Sequence, residues 1–290
     1  MFTQIIDGKK IAEKIKDGIV KEIQKLKDRP NLAIILVGSR ADSELYVNLK
    51  QKEAKKCGID THLYKFDEKT TEEELLQCIK FLNDDEKIDG ILLQLPLPQK
   101  FDTDKIVSAI KPEKDVDGFH PENLKKINSN LPLLTKERAG VRSYIIPPLA
   151  GVILEICNGI KCDLKDKKIA ILAHSDIFMQ GVGNILQQQG TKILPCKYDE
   201  KNSPDCTKQA DIVITAVGKK HYLNKDYIKE DAVIIDIGII KDDTGTYGDV
   251  DFDSVKEKAS FITPVPGGVG PITIACAFRN VLQLYSQKHR

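Results

Sequence analysis

The run Leu32-Ala-Ile-Ile-Leu-Val37, closed by Gly38, constrains this chain more than any other stretch. A strand with one wet face alternates polar and apolar residues. An unbroken apolar run needs cover on both faces, which is the habit of strands in a parallel sheet flanked by helices. The surrounding segments alternate to match. Phe2 to Ile6 reads as a short strand turned by Asp7-Gly8, and Ala12, Ile15, Ile19, Ile23 and Leu26 fall on one stripe of a helix that Pro30 ends. A helix from Asp42-Ser43 to Gly58 follows, then a strand from Ile59 to Phe66. The capping box Thr71-Glu72-Glu73-Glu74 starts the next helix, and a strand from Ile88 to Leu95 is stopped by Pro96 and Pro98. This alternation predicts an α/β domain with a parallel sheet whose ligand groups gather at the carboxyl ends of strands. Gly38-Ser39 and Gln94 lie at such ends.

The pattern restarts at Pro147-Pro148, which suits the first turn of a helix running to about Asn158-Gly159. Strands are expected at Lys168–Ala173, Lys192–Cys196, Asp211–Val217 and Ala232–Ile237, with a helix from near Gly181 to Gly190. A last helix, from Pro271 to about Ser286, carries Ile274, Ala277, Phe278, Val281 and Leu282 on one side. The expected organisation is two α/β domains. Residues 1–145 form a parallel-sheet catalytic domain, to which a C-terminal helix at 271–290 returns, and residues 146–270 form a Rossmann-like nucleotide-binding domain. The stretch Lys125 to Tyr144, with Lys125, Lys126, Lys136, Arg138 and Arg142, reads as a solvated loop or as a basic flap over an anionic substrate tail.

Composition narrows the function classes. With 44 basic and 43 acidic residues there is no basic excess to hold nucleic acid. No apolar run approaches the roughly 18 residues that span a membrane, and the N-terminus shows no signal core. The seven cysteines contain no C-x-x-C pair, so reduced thiols in a cytoplasmic enzyme are expected, with neither a metal site nor a disulfide framework.

Within the helix after the first apolar strand, Tyr46 and Lys50 stand four apart and share one face. Such a pair is ordinary on a helix surface. It gains meaning beside three later segments: Asp89-Gly-Ile-Leu-Leu-Gln94-Leu-Pro-Leu-Pro98, Lys114-Asp115-Val116-Asp117-Gly118-Phe119, and Pro264-Val-Pro266-Gly267-Gly268-Val-Gly-Pro271. With these four in order, the chain resembles the methylenetetrahydrofolate dehydrogenase/cyclohydrolase family over nearly its whole length. Leu36-Val37-Gly38, Val233 to Ile239 and Gly248 to Phe252 support the likeness.

The resemblance implies oxidation of methylenetetrahydrofolate by a nicotinamide dinucleotide, NADP with NAD as the alternative, and hydrolysis of the methenyl product at the same site. It further implies a homodimer and a place in one-carbon metabolism and purine biosynthesis. The family's catalytic lysine falls on Lys50, its stacking tyrosine on Tyr46, its motif glutamine on Gln94 and its pterin-binding aspartate on Asp117. The residue types fit. A tyrosine face can stack on a flat pterin, and a carboxylate can accept from an amino-pyrimidine edge. A lysine of lowered pKa can move a proton during hydrolysis, with a neutral amide to orient it. Ser43 joins the substrate-binding expectation, although a first-turn serine is equally a cap. Pro266, Gly267 and Gly268 are expected against the folate, because glycines let backbone approach a flat ligand.

Two stretches depart from the family pattern. The family's phosphate loop, G-x-S-x-x-V-G-x-P, is here Ala173-His174-Ser175-Asp176-Ile177-Phe178-Met179-Gln180-Gly181, and Gly181-Val182-Gly183 is a candidate for a displaced glycine turn. Ala173, His174, Ser175, Lys197 and Ile239 are the expected cofactor contacts. Lys197 favours a 2′-phosphate, whereas Asp199 and Glu200 argue against one. Ile146-Pro-Pro-Leu-Ala-Gly151 replaces the usual P-C-T-P-x-G. The bifunctional enzyme is the main expectation. A cyclohydrolase with a degenerate nucleotide site is the alternative, and a non-catalytic folate-binding protein would not need Lys50.

Overall fold

The computed structural model describes residues 3–128, 144–174, 176–194, 196, 198 and 204–289, without the side chains at 128, 176–178, 180 and 204. In chain order the elements are β1 (Gln4–Ile5), α1 (Gly8–Ile23), β2 (Asn31–Val37), α2 (Ala41–Cys57), β3 (Asp60–Phe66), α3 (Glu72–Asp84), β4 (Gly90–Leu93), α4 (Thr103–Ala109), α5 (Pro121–Asn128) and α6 (Pro148–Gly159). They continue with β5 (Lys168–Ala173), α7 (Asp176–Gln187), β6 (Lys192–Leu194), α8 (Pro204–Thr207), β7 (Ile212–Ala216), β8 (Val233–Asp236), β9 (Ile240–Asp242), β10 (Gly245–Tyr247), α9 (Phe252–Val255), β11 (Phe261–Ile262) and α10 (Val269–Lys288). The chain divides into two compact units, one of residues 14–148 and 274–290, the other of residues 1–13 and 149–273.

The first unit is built on a parallel sheet of order β3-β2-β4. The apolar run of β2 is buried on both faces. Leu32, Ile34 and Leu36 pack with Val47 and Ala54 of α2 and with Ala277, Phe278 and Val281 of α10. Ala33, Ile35 and Val37 pack with Leu75, Ile79 and Leu82 of α3 and with Ile106 of α4. Local chemistry sets the helix ends. Thr71 and Glu74 form the capping box of α3, with the Thr71 N–H donating to Glu74 Oε2 at 2.7 Å. Gly58 closes α2 in the left-handed region at φ +83°, its N–H turned back to the carbonyls of Ala54 and Lys55.

The second unit holds a six-stranded sheet of order β1-β11-β8-β7-β5-β6, in which every neighbour pair runs parallel, and a small antiparallel hairpin of β9 and β10. From β5 the chain goes out to β6 and returns to β7 on the other side, so the topological switch point lies between β5 and β7.

Several expectations need correction. The N-terminal strand belongs to the six-stranded sheet and not to the catalytic half, because β1 pairs with β11; the Gln4 N–H donates to Ser260 O and the Ile6 N–H to Ile262 O, both at 2.8 Å. Helix α7 begins at Asp176, so Gly181 and Gly183 are helical residues and no displaced glycine turn exists there. The burial of Val182, Ile185 and Leu186 offsets the roughly 1 kcal/mol that each glycine costs a helix. Helix α10 begins at Val269, two residues before Pro271, which leaves the proline in the first turn where no intrahelical N–H is needed. Cys196, after β6, and Cys206, in α8, form a disulfide with Cα atoms 5.7 Å apart, so the expectation of seven reduced thiols fails for this pair. The bridge carries no C-x-x-C signature because its cysteines are ten residues apart in sequence. Ser175, Lys197 and the 129–143 part of the basic stretch lie outside the described residues.

Phe278 is fully buried at the centre of the α2/β2/α10 core. Phe278→Ala is expected to lower the unfolding free energy by about 3–5 kcal/mol, read from the urea midpoint at unchanged slope.

Candidate active site

The buried face of α2 carries Ser43, Val47, Lys50, Ala54 and Cys57. Lys50 therefore occupies a place where helical periodicity calls for an apolar side chain, and it is only 7% exposed. Its amine donates to Gln94 Oε1 at 2.9 Å. Gln94 follows β4 directly, and its own N–H donates to Ile35 O at 2.8 Å. The Gln94 side-chain amide donates to Leu95 O at 2.7 Å, which turns its oxygen toward Lys50. The Lys50 amine also lies 5.2 Å from the centroid of the Tyr46 ring. Ser43 is buried in the first turn of the same helix.

Burial drives the lysine toward its neutral form, against the opposing attraction of the Asp117 carboxylate. Burial also pushes Asp117 up to about 6, held back by the charge of Lys50. The structure thus brings Tyr46, Lys50, Gln94 and Asp117 together in one unit. Pro266, Gly267 and Gly268 form the turn before α10 in the other unit. Gly267 is at φ +106°, and a Cβ at Gly268 would lie 2.6 Å from Pro264 O, so both glycines are required by the backbone path.

Sequence reasoning missed the groups that hold Asp117 in place. Asp115 is buried and accepts from the N–H groups of Gly118 at 2.9 Å and His120 at 2.8 Å, and from Asn123 Nδ2 at 3.1 Å. Gly118 turns the chain at φ +69°, where a Cβ would press on Ile145 and Pro147 at 3.2 Å. Lys114 is buried with its amine on the Leu82 and Asp85 carbonyls, at 2.8 and 2.7 Å, where it satisfies the end of α3. Asn280 of α10 donates to both Val116 O and Ile146 O, each at 2.8 Å. The one readable signal was Asp115 two residues before Asp-Gly, a side-chain-to-backbone turn pattern.

In the second unit the switch point between β5 and β7 is where an open parallel sheet takes its ligand. Ala173 ends β5, and His174 Nε2 lies 2.9 Å from Val217 O just past β7. Gly218 stands beside it at φ +67° with open space around its Cα. Helix α7 begins at Asp176, close behind the end of β5 at Ala173, so its N-terminus lies near the carboxyl end of that strand. Ile239, past β8, is 61% exposed. These features fit an elongated anionic dinucleotide: an open glycine backbone, a helix N-terminus and a sheet crevice. Among the described residues no group of three His, Cys, Asp or Glu side chains is placed to hold a metal ion, and no helix is long and apolar enough to cross a membrane.

A parallel α/β unit with a buried, tethered lysine, and another with a dinucleotide-type crevice, define the class of a nicotinamide-linked enzyme with a proton-transfer group. The comparisons are narrower. Residues 6–117 match the family described as tetrahydrofolate dehydrogenase/cyclohydrolase, catalytic domain, and residues 147–289 match its NAD(P)-binding domain. The chain belongs to this family. It is 41% identical over 283 residues to the bifunctional protein FolD of Nautilia profundicola, covering 96% of each chain. The crystal structure of the bifunctional FolD dehydrogenase/cyclohydrolase from Campylobacter jejuni superposes with a TM-score of 0.90 at 36% identity, over 98% of this chain and 99% of that one. The Trypanosoma brucei enzyme, complexed with NADP and an inhibitor, gives a TM-score of 0.89 at 29% identity, over 100% of this chain and 99% of that one.

Replacing Asn280 with Leu strands two buried carbonyls. Asn280→Leu is expected to cost about 2–4 kcal/mol in urea unfolding, at the sum of two unsatisfied acceptors. A cost near zero would show that the loop carbonyls find other donors.

Proposed function

We propose that this protein oxidises methylenetetrahydrofolate to the methenyl form with NADP and hydrolyses the methenyl form to formyltetrahydrofolate. The observation that carries the reading is the buried Lys50 amine, held by Gln94 at 2.9 Å and faced by the Asp117 carboxylate. When bound, the nicotinamide supplies the oxidation. The NADP assignment draws on the Trypanosoma brucei relative, which was solved with that cofactor, and on the crevice beside His174 and Gly218. Membership of the family supports a homodimer, a cytoplasmic setting and a contribution to purine biosynthesis as parts of the same proposal.

The chain's own residues then divide the work. Tyr46 offers its ring face to the flat pterin, and Asp117 accepts from the amino-pyrimidine edge. Lys50, whose amine gives up its proton more readily because burial disfavours the charge, takes a proton from the water that attacks the methenyl carbon and returns one to the ring nitrogen as the adduct opens. Gln94 cannot ionise; it fixes the amine's direction. Pro266, Gly267 and Gly268 are proposed as a backbone wall for the folate, and Ser43 as a polar contact. Ala173, His174, Ser175, Lys197 and Ile239 are proposed on the cofactor side.

Protonation gives this reading a sign. Asp117 titrates near 6 in the folded chain, above the ordinary carboxylate value of 3.8. Its raised pKa favours the folded state at low pH, and that contribution is lost as pH rises through about 6. Folate capture needs the ionised form, so substrate KM is expected to rise as pH falls below about 6. Asp117→Asn should remove this pH-dependent loss of stability while raising KM at every pH. Lys50, whose pKa is lowered by burial, is charged in the folded state at a cost, so Lys50→Met should be at least as stable as the parent at neutral pH. The same variant should lose methenyl hydrolysis by about 10²–10⁴-fold.

The test of the whole proposal follows reduced nicotinamide from methylenetetrahydrofolate, with NADP and NAD in parallel, and methenyl decay in the same sample. Reduction together with accelerated decay is the expected result. Because Ala173 stands where the family has glycine, accelerated decay without reduction would identify a cyclohydrolase alone. Neither activity would defeat the proposal.

A further inference from the structure

Two fully buried acids of the second unit have no part in the chemistry above. Asp249 is 0% exposed and Asp236 2%. Among the described residues neither has a salt-bridge partner; both are satisfied by N–H and O–H donors, almost all of them backbone. Asp249 Oδ2 accepts from Thr215 Oγ1 at 2.9 Å and from the Val217 N–H at 2.7 Å, and Oδ1 accepts from the Lys219 N–H at 2.9 Å. Asp236 Oδ1 accepts from the N–H groups of Gly238 at 2.9 Å and Asp249 at 3.1 Å, while Oδ2 accepts from the Val250 N–H at 2.9 Å. The pair is so tightly enclosed that side chains are excluded around it. A Cβ at Gly238 would stand 2.3 Å from Asp249 Oδ1, and one at Gly248 would stand 1.9 Å from Asp236 Oδ2.

What Asp249 grips is the segment that leaves β7, residues 217–219, on the β7 side of the switch point. That segment also carries the carbonyl that meets His174 from the end of β5 and the positive-φ Gly218. Asp236, through the backbone of Asp249, holds the holder. Buried Val217 anchors only the start of this loop; beyond it Gly218 has no side chain, and Lys219 and Lys220 are polar. Buried carboxylates that collect backbone N–H groups are a way to give such a loop one conformation.

We infer that Asp249 is a positioning residue for the dinucleotide, setting the 217–219 backbone that forms one wall of the cofactor crevice, with Asp236 and the glycines at 238 and 248 as its supports. The inference rests on the dinucleotide reading of this unit. It assigns Asp249 no contact with the reacting atoms.

The test compares the full-length parent with Asp249→Asn, Gly238→Ala and Thr215→Val, measuring NADP and NAD dissociation constants by titration, the dinucleotide KM and kcat, and methenyl hydrolysis. Asparagine at 249 presents an NH2 where an acceptor is needed, so one of the three donors is left unpaired. Asp249→Asn is expected to weaken NADP binding and raise its KM by about tenfold or more, at the cost of an unmet buried donor. Its kcat should change less than its KM, because the loss is in ground-state binding. Gly238→Ala, which pushes a methyl group into Asp249, should move the same quantities in the same direction. Thr215→Val removes only the hydroxyl bond and should give a smaller weakening, about two- to fivefold. Methenyl hydrolysis should stay near the parent rate in all three. Variants that bind NADP as the parent does would overturn the inference. So would a parallel loss of dehydrogenase and hydrolysis in folded Thr215→Val, which would make the acid a general fold residue. If Asp249→Asn fails to fold, Thr215→Val decides by the same two criteria. A parent that binds neither NADP nor NAD overturns the dinucleotide reading itself, and the inference with it.

Discussion

The hydrogen bond from Lys50 to Gln94, made out of water, is the interaction on which the catalytic unit depends. A lysine in the apolar stripe of a helix is expensive to keep charged. Here burial lowers the amine's proton affinity, Asp117 restores part of it, and Gln94 accepts one N–H of the amine and so holds its position. Each partner comes from a different element, α2, the end of β4 and the loop before α5, so the sheet has to form before the three can meet. The apolar run at residues 32–37 of β2 is the reason it does. Its two faces nucleate two cores, and one of them includes the α2 stripe that carries Lys50.

The second unit solves another problem with similar means. A dinucleotide crevice needs exposed backbone with a fixed shape, and exposed backbone is the part of a protein least fixed by packing. The apolar core of β5, β7 and β8 reaches Val217, one residue past β7, and the next residues, Gly218, Lys219 and Lys220, add no apolar side chain. Beyond it, Asp249 and Asp236 take over, each gathering N–H groups from the loops. In the catalytic unit Asp115 does the same for the segment that carries Asp117, and Asn280 ties that segment to α10. Buried polar side chains saturated by backbone are thus the common device beneath both sites.

How much of this was legible follows from the range of the forces involved. The strands and helices of the catalytic unit announced themselves through periodicity, capping boxes and prolines, all of them local. The set Tyr46, Lys50, Gln94 and Asp117 was legible through family motifs, and the structure brings the four together. The pairing of β1 with β11 was not legible, because a two-residue strand has no pattern and its partner lies more than 250 residues away. The start of α7 was misplaced because glycines at 181 and 183 look like a turn, whereas buried Val182, Ile185 and Leu186 carry the helix through them. The Cys196–Cys206 bridge has no spacing signature. Asp115, Asp236, Asp249 and Asn280 were passed over since an acid or amide that serves distant backbone looks, in sequence, like any turn or surface residue.

The central claim is that burial lowers the proton affinity of Lys50 and that Asp117 opposes this. Its most direct test is an NMR titration of the protein labelled with carbon-13 at the lysine ε position, with Lys50→Met used to assign the signal. The account predicts an amine that titrates below the ordinary lysine value of 10.5, and lower still in Asp117→Asn. A Lys50 signal that titrates with the surface lysines, unmoved by Asp117→Asn, would contradict it.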